Sequence, residues 1–404
     1  MKKSANPLSL ETQTDKKIWL SSPHMGTDER KYVDQAFESN WVAPLGPNVN
    51  GFEEDIVNFT SCGYAAALTS GTGAIHLALD MIGVNPGDFV ICQSFTFSAS
   101  ANPIRYLGGI PVFVDSEEET WNMCPKALSN AIKACIDGTI ASNYPALGLD
   151  KHGQLPKAII PVDLYGMPAK MSEINAVAKE YGIPVIEDAA EALGSSIGGQ
   201  YCGTFGDIGI FSFNGNKIIT TSGGGALVSK HRKFVDKARF LATQAREDAP
   251  HYEHRELGYN YRMSNICAGI GRGQMQVLEE RVNRRREIFA TYKDFFMSIE
   301  GVTFLEEPEG FFSNRWLSTF LIDPKKTGGI NRETIRLSLA EKNIESRPLW
   351  KPMHLQPVFQ SFPYAGGNIS KTLFENGLCL PSGSNMESTD LDRISGVLKK
   401  IFKH

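Results

Sequence analysis

"DFVICQSFTFSASANPIRYLGGIPVFVDS" (residues 88–116) joins two short apolar runs through a stretch with helical character. The runs at 88–94 and 110–116 do not alternate between polar and apolar residues, which is typical of strands buried on both faces of a sheet. An apolar run followed by a helical pattern recurs at 65–82, 157–182 and 183–194. This repetition predicts an α/β fold with a mostly parallel sheet that helices cover on both faces.

The pattern changes in the last third of the chain. A long helical stretch runs from about residue 263 to 296, and shorter strand and helix patterns follow it. A chain of 404 residues is also too long for one simple core. We therefore expect a flexible segment at 1–17, a large domain at 18–265, and a long linking helix with a smaller α+β domain at 266–404.

Composition argues against several classes of protein. The net charge of −4 gives no sign of the basic surface that binding to nucleic acid or to an anionic membrane requires. The densest basic run, RVNRRRE at 281–287, is typical of the exposed face of a helix. The cysteines include no C-x-x-C pair and the histidines never pair at ligand spacing, so we expect neither disulfides nor a metal site. Because neither a signal peptide nor a membrane span of ~20 apolar residues is recognisable, we expect a cytoplasmic protein.

The stretch TSGTGAIHLAL (69–79) turns from a strand into a helix. Backbone N–H groups at the helix start, with the hydroxyls of Ser70 and Thr72, could hold a phosphate. The stretch lacks the third glycine of a dinucleotide fingerprint, since that position is His76, and it lacks the G-K-[ST] of a P-loop. An ordinary α/β turn has the same appearance, so both interpretations stay open here.

Three further positions have a chemical and an ordinary interpretation. Asp188 ends the apolar run of VIEDAAEALG (185–194), either as a helix cap or as a carboxylate beneath a cationic ring. Lys217 in FSFNGNKIITTSGGGALVS (211–229) is either a solvated turn lysine or an amine that bonds to a carbonyl. Phe97 in QSFTFSASAN (93–102) is either a core residue or a platform for a planar cofactor.

Taken together, these four features match one cofactor, pyridoxal 5′-phosphate (PLP). PLP requires a cradle for its phosphate, a carboxylate for its pyridine nitrogen and a lysine for its aldehyde. No other common cofactor requires this set. The sequence therefore predicts a PLP site.

The chain resembles the DegT-type sugar-nucleotide aminotransferases, which have the aspartate-aminotransferase fold (PLP fold type I). The resemblance runs from about residue 18 to the C-terminus and rests on the motifs NWVAPLGPNVNGFE, SGTGAIHLAL, TFSASANPI, VIEDAAEALG, FSFNGNKIITTSGGGAL, GYNYRMSN and PLWKPMHLQP. The fifth motif, together with PLWKPMH, is most similar to the branch that aminates C4 of UDP-4-keto-6-deoxy-HexNAc. That branch serves bacillosamine-type glycan and exopolysaccharide pathways.

The resemblance implies roles for individual residues. Lys217 would bond covalently to PLP, and Asp188 would pair with the pyridine nitrogen. The remaining cofactor contacts that it implies are Gly71, Thr72, Phe97, Glu191, Ser212 and, from a neighbouring subunit, Asn260. It places Trp41, Pro47 and His354 near the sugar nucleotide. The contribution of a neighbouring subunit implies a homodimer with composite active sites.

Two departures from the family pattern stand out. Glu191 occupies a position where many members carry Gln or His, so its role stays open. The glycine tract reads SGGGA where many members have GEGG, and no role for the missing glutamate is transferred.

The implied function is transfer of an amino group from glutamate to the C4 ketone of a nucleotide-linked 4-keto-6-deoxy sugar, with UDP-4-keto-6-deoxy-GlcNAc as the first choice. The alternatives are a 3-aminotransferase acting on a dTDP- or GDP-linked ketosugar, a PLP-dependent sugar dehydratase, and a PLP-binding regulatory protein. Lys217 argues against the dehydratase branch in which histidine replaces the lysine.

Overall fold

The computed structural model describes residues 16–148 and 153–403. The sequence predicts a flexible segment at 1–17. Residues 1–15 of this segment lie outside the described residues. In the described ranges the strands are β1 (Tyr64–Leu68), β2 (Phe89–Gln93), β3 (Ile110–Val114), β4 (Ala158–Ile160), β5 (Ile186–Asp188), β6 (Ser196–Ile197), β7 (Gln200–Tyr201), β8 (Ile208–Ser212), β9 (Gly225–Ser229), β10 (Val302–Phe304), β11 (Phe311–Phe312), β12 (Ser318–Ile322), β13 (Arg347–Pro348), β14 (Tyr364–Ala365) and β15 (Gly377–Leu380). The helices are α1 (Glu29–Glu38), α2 (Pro47–Thr60), α3 (Gly71–Ile82), α4 (Asn102–Tyr106), α5 (Pro125–Ile136), α6 (Thr139–Asn143), α7 (Met171–Tyr181), α8 (Arg232–Ala242), α9 (Asn265–Gln276), α10 (Leu278–Phe296), α11 (Arg332–Ala340), α12 (Ile369–Asn376) and α13 (Ser388–Phe402).

One large sheet carries most of the strands. Strands β14, β3, β2 and β4 pair in that order and are all parallel. Strands β5, β8, β9 and β1 form the other half, in which β5 and β8 are parallel and β9 is antiparallel to both of its neighbours. Parallel bridges from Ile159 to Val185 and from Val162 to Asp188 join the halves. The sheet is therefore mixed but mostly parallel, as the strand–helix alternation predicts.

Helices cover both faces of this sheet because its central strands are apolar on both sides. On one face, α3 and α8 bury side chains such as Leu77 and Leu241. On the other face, α5 and α7 bury Leu128, Ile132 and Ile174. Each such side chain contributes about 1.5–3 kcal/mol by leaving water. The two layers hold the strand ends, and hence the site described below, in fixed positions.

The C-terminal part has its own antiparallel sheet, in the order β10, β12, β15, β13. Side chains from α10, α13 and β12 share its core, among them Ile288, Ile394 and Phe320. One short strand from this part of the chain belongs to the large sheet. This strand, β14, pairs with β3, and Tyr364 lies opposite Phe113. The domain boundary near residue 265 stays a prediction. Among the described residues, no helix has both the length and the apolar character that a membrane crossing requires.

Residues 189–194, expected as a helix, form turns instead. Gly194 has a φ of 90°, which ends any helical course. The side-chain amide of Asn314 donates hydrogen bonds to the carbonyls of Glu191 and Leu193, which a helix would use internally. The long helical pattern at 263–296 is also divided, because α9 ends at Gln276 and α10 begins at Leu278.

The expectation that RVNRRRE is an exposed helix face is wrong. Arg281 is 4% exposed and Arg285 is 1% exposed. Helix α10 is covered by the N-terminal segment and by the loop before β12. Backbone carbonyls of Met25 and Trp316 accept hydrogen bonds from the two guanidinium groups, which is how buried arginines are tolerated at these positions.

Candidate active site

Seven of the residues expected to contact the cofactor line one cavity of about 340 Å³. They are Gly71, Thr72, Phe97, Asp188, Glu191, Ser212 and Lys217. Asp188 and Ser212 are the last residues of β5 and β8, and Gly71 is the first residue of α3. The cavity therefore lies at the carboxyl ends of parallel strands, where α/β sheets usually bind their ligands.

The start of α3 forms one end of the cavity. Ser70 caps this helix, because its hydroxyl accepts a hydrogen bond from the backbone N–H of Gly73 at 3.0 Å. The hydroxyl-bearing residues Thr72 and Ser212 line the cavity beside it. A helix N-terminus offers unused N–H donors and a positive dipole end. This end of the cavity therefore suits a phosphate.

Glycine is required where β9 approaches α3. A Cβ atom at Gly225 would lie 2.3 Å from the backbone nitrogen of Gly71, which is closer than real Cβ contacts. By contrast, the Cβ position of Gly223 is surrounded by open space. The SGGGA tract thus lets the strand meet the helix start without an intervening side chain.

Asp188 is buried at the end of β5. Its carboxylate accepts hydrogen bonds from Ser100 Oγ at 2.6 Å and from the backbone N–H of Ala190 at 3.2 Å. Burial raises the pKa of Asp188, while the hydrogen bond from Ser100 and the charge of Lys217 oppose the rise. A cation placed against this carboxylate would favour its charged form in the same way.

Lys217 points into the cavity, and only 12% of its side chain is exposed. Its Nζ lies 3.1 Å from Oε1 of Glu191 and 4.3 Å from the ring centroid of Trp316. Burial raises the pKa of Glu191, and the charge of Lys217 opposes the rise. Lys217 is therefore a largely buried amine with a carboxylate partner, unlike a solvated turn lysine.

The second carboxylate oxygen of Glu191 is held by a strained residue. It accepts a hydrogen bond from the backbone N–H of Tyr165 at 2.8 Å. Tyr165 has φ 56° and ψ 17°, a left-handed conformation that costs a residue other than glycine about 1–3 kcal/mol. Its ring stacks on Trp316, and its hydroxyl oxygen accepts from the backbone N–H of Trp350 at 2.9 Å. The strained backbone directs the N–H of Tyr165 at Glu191.

Four predicted contacts lie away from this cavity in the described part of a single chain. Asn260 and Pro47 are exposed, and 49% of Trp41 is exposed. His354 is half-buried, and its Nδ1 lies 2.7 Å from Ser94 Oγ. Burial lowers the pKa of His354 to about 4. The roles of these four residues stay predictions.

Several residues of the cavity were not among those predicted. Ser100 belongs to a quoted motif, three residues after Phe97, but it lies 88 residues from Asp188 in the sequence, so no local pattern pairs the two. Trp350 lines the same cavity and lies in the quoted motif PLWKPMHLQP, which was a usable signal, whereas Trp316 comes from a part of the chain with no quoted motif. The backbone carbonyl of Asn216, next to Lys217, accepts a hydrogen bond from Trp316 Nε1 at 2.7 Å.

A second buried carboxyl group beside the site, that of Glu187, holds a nearby loop. Glu187 accepts hydrogen bonds from the backbone N–H groups of Gly203, Phe205 and Gly206. Its carboxylate lies within 4.8 Å of ligand atoms of Asp163 and Cys202. Burial and the charge of Glu187 raise the pKa of Asp163 well above its ordinary value. Because Glu187 already binds three N–H groups, we interpret the cluster as an anchor for the loop at 203–206.

The donor set of the cavity fits PLP. The helix start and its hydroxyls match the phosphate, Asp188 matches a cationic pyridine nitrogen, and Lys217 matches the aldehyde. Phe97 is 55% exposed, and its ring centroid lies 5.4 Å from that of Trp350, so flat side chains border the space. The phosphate, the pyridine nitrogen and the aldehyde of PLP each have a partner of suitable chemistry here.

Comparisons with known proteins agree with this geometry. The model of the DegT/DnrJ/EryC1/StrS aminotransferase family matches residues 23–399. EpsN of Bacillus subtilis (strain 168), which bears the name of a pyridoxal phosphate-dependent aminotransferase, is 51% identical over 391 residues, with 96% of each chain covered. The GDP-perosamine synthase of Escherichia coli O157:H7 is 36% identical over 387 residues, which cover 96% of this chain and 99% of that protein.

A solved structure has the same architecture. The crystal structure of a DegT DnrJ EryC1 StrS aminotransferase from Brucella abortus superimposes with a TM-score of 0.82 at 28% identity, covering 93% of this chain and 96% of that chain. The expected α/β fold class is confirmed.

Proposed function

Because the chain belongs to the DegT/DnrJ/EryC1/StrS aminotransferase family, we propose that it transfers an amino group from glutamate to the C4 ketone of a nucleotide-linked 4-keto-6-deoxy sugar. UDP-4-keto-6-deoxy-GlcNAc is the substrate proposed first, in bacterial glycan or exopolysaccharide biosynthesis. Family membership itself confirms the expectation of a PLP-dependent aminotransferase. The cytoplasmic location stays a prediction.

A groove that continues from the cavity carries the proposal about the substrate. This groove has a volume of about 560 Å³ and shares Phe97, Asn216, Trp316 and Trp350 with the cavity. Its lining adds Trp19, Lys351 and Arg347, and Arg347 is paired with Glu345 of the same groove at 2.8 Å. Aromatic faces suit a nucleobase and cationic side chains suit a diphosphate. An elongated, anionic substrate with a flat base would therefore extend from the cavity into the groove.

The named relatives support a nucleotide-linked sugar. One of them is called a GDP-perosamine synthase, and it matches nearly the whole chain. EpsN is more similar to this chain than that synthase is, and its name states no substrate. The choice of UDP over GDP therefore rests on the motifs FSFNGNKIITTSGGGAL and PLWKPMH.

Bound PLP would supply an electron sink that makes the α-hydrogen of the amino donor acidic. The residues of the chain would do the rest. The start of α3 with Thr72 and Ser212 would bind the phosphate, and Asp188 would hold a proton at the pyridine nitrogen. Lys217 would bond to the aldehyde and, once displaced by the donor, would move the α-proton through its Nζ.

Glu191 and the aromatic residues around Lys217 would control where its amine passes a proton and how much water reaches it. The carboxylate of Glu191 lies 3.1 Å from Lys217 Nζ and can hold the proton that the amine takes up. The rings of Tyr165, Trp316 and Trp350 pack around the lysine side of the cavity and limit the access of water. Excluding water strengthens every charge interaction inside the site.

We also propose the homodimer with composite sites. Apolar side chains that are unusually exposed occur in two segments, with Trp41, Val42 and Leu45 in one and Tyr252 and Leu257 in the other. The chain that follows the second segment returns to the first, because the backbone N–H of Asn265 donates to the carbonyl of Ala43 at 2.8 Å. Asn260 follows the second segment, three residues after Leu257. A second copy covering both would bury this apolar surface.

A panel of nucleotide-linked ketosugars tests the function. The purified, PLP-loaded protein is incubated with glutamate and with UDP-4-keto-6-deoxy-GlcNAc or its GDP- and dTDP-linked counterparts, and products are identified by mass spectrometry. We expect the UDP-linked 4-amino sugar and one 2-oxoglutarate per product. Preferred amination of another nucleotide sugar would contradict the proposed substrate.

A variant of a groove residue tests the role of the groove in binding the nucleotide sugar. Lys351→Gln should raise the KM for the nucleotide sugar about tenfold and leave the KM for glutamate unchanged, because a cation on phosphate is lost. Lys371→Gln, an exposed lysine outside the groove, should change neither.

The same assay without glutamate distinguishes the proposed aminotransferase from the dehydratase alternative. A dehydratase would convert the ketosugar without consuming the donor in equal amounts. Lys217 and its pairing with Glu191 favour the aminotransferase.

A further inference from the structure

Arg285 lies in the middle of α10, and its side chain is fully enclosed, with 1% of the residue exposed. Within the described ranges, no carboxylate lies at ion-pair distance from its guanidinium. Burial, and then the charge of Arg281, lower its pKa to about 9. A buried cation of this kind weakens the folded state at neutral pH unless its hydrogen bonds compensate. The partners of its hydrogen bonds therefore indicate what the side chain does.

The guanidinium connects three distant segments. Its Nη1 donates to the backbone carbonyl of Trp316 at 2.5 Å, and its Nη2 donates to Ser21 Oγ at 3.0 Å. The hydroxyl of Ser21 in turn donates to the backbone carbonyl of Asn216 at 2.8 Å. The indole N–H of Trp316 donates to that same carbonyl at 2.7 Å. Both donors to the carbonyl of Asn216 are thus held by Arg285.

Asn216 directly precedes Lys217, whose amine lies over the ring of Trp316 at 4.3 Å. The backbone N–H of Lys217 closes a turn onto the carbonyl of Asn214 at 3.0 Å. A carbonyl bonded from two sides cannot rotate without breaking both bonds, so the turn is fixed in one orientation. The ring beneath the amine is fixed by the same arginine.

We propose that Arg285 is a positioning residue for Lys217, acting through the carbonyl of Asn216 and the backbone of Trp316. It does not touch the cavity. It sets the direction in which the lysine leaves the turn, and hence the approach of its Nζ to Glu191. This inference takes Lys217 as the reactive amine of the proposed function.

The test compares two buried arginines on one helix. Arg285→Met removes the donors but keeps an apolar stem of similar length. Arg281→Met is the matched control, because Arg281 is as deeply buried one turn earlier but donates to Glu280 and Met25 instead. Ser21→Ala breaks one of the two bonds to Asn216 with little change in volume. All variants are first checked for folding by circular dichroism and thermal unfolding.

Hydrogen exchange of the cofactor-free protein gives the first readout. We expect the backbone amide of Lys217 to exchange about tenfold faster in Arg285→Met and severalfold faster in Ser21→Ala, while amides of β8 and β9 are unchanged. Arg281→Met should leave the exchange of Lys217 unchanged. Equal effects of the two arginine variants, or no effect of Arg285→Met and Ser21→Ala, would overturn the proposal.

The absorbance of the PLP-loaded protein gives the second readout. We expect the pH midpoint of the lysine-bonded cofactor band to move by about half a unit or more in Arg285→Met and to stay constant in Arg281→Met. This midpoint does not depend on how much protein is folded, so a merely structural role would not move it. If the wild type bonded PLP but aminated no ketosugar, the proposed substrate would fail while both readouts remained decisive for Arg285.

Discussion

The amine of Lys217 lies between the carboxylate of Glu191 and the ring of Trp316 in a largely buried space. Glu191 shares the same buried space, and its own pKa is raised. The amine of Lys217 donates a hydrogen bond to this carboxylate across 3.1 Å. An amine that must both bond to a carbonyl and carry a proton benefits from such a partner.

Lys217→Ala should lower the release of 2-oxoglutarate at least about 10³-fold, since both the covalent bond and the proton transfer are lost. Lys230→Ala, an exposed lysine beyond β9, serves as the control and should keep full activity. Turnover of Lys217→Ala above a tenth of the wild type would contradict the assignment.

Glu191→Gln should change the pH dependence of the reaction. Burial raises the pKa of Glu191 above its ordinary value of 4.5, so its protonation, and with it the loss of the pair with Lys217, begins at a higher pH than for an exposed glutamate. We expect kcat of the wild type to fall as the pH drops through this range. The Gln variant should lack this acidic limb and be about tenfold slower at neutral pH. An unchanged limb would exclude Glu191 as its source.

At the scale of elements, the meeting of β9 with the start of α3 shapes the phosphate end of the cavity. Gly225→Ala would force its Cβ against the backbone of Gly71, so we expect a loss of about 1–3 kcal/mol in stability and weaker binding of PLP. Urea denaturation and PLP titration measure the two effects. Gly223→Ala has open space and should leave the denaturation midpoint nearly unchanged. Equal midpoints for the two variants would contradict the packing role.

The strands and most helices were predictable because their patterns are local. The run at 110–116 contains β3, and the helical part of the pattern at 65–82 coincides with α3. The turn at 189–194 was not predictable, because Asn314 captures carbonyls that a helix would need. The same holds for Arg285, whose acceptors come from Ser21 and Trp316. Contacts between distant segments decided these cases, and periodicity carries no information about them.

At the scale of the whole molecule, the composite site can be tested by mixing subunits. Lys217→Ala and Asn260→Ala are each expected to be inactive alone. If Asn260 acts across the subunit boundary, every mixed dimer contains one intact site. Random mixing should then restore about a quarter of the wild-type activity. No recovery after verified subunit exchange would contradict a composite site.

The proposed dimer is expected to depend on the exposed apolar segments. Leu257→Asp should shift the mass in solution from dimer to monomer, measured by light scattering, because a charge would be buried in the interface. Met297→Asp changes an equally exposed apolar residue at the end of α10 and should leave the mass unchanged. A dimeric Leu257→Asp protein would remove this segment from the interface.

The pairing of β14 with β3 has a consequence for synthesis on the ribosome. Strand β3 is complete by residue 114, but its outer neighbour arrives only at residues 364–365. During translation, at about 5–20 residues per second, the nascent chain therefore carries an unpaired sheet edge through most of its production. Unpaired edges recruit strands from other chains. A ribosome that stalls before residue 364 would release a product prone to aggregation, and chaperones would have to shield that edge until the last part of the chain emerges.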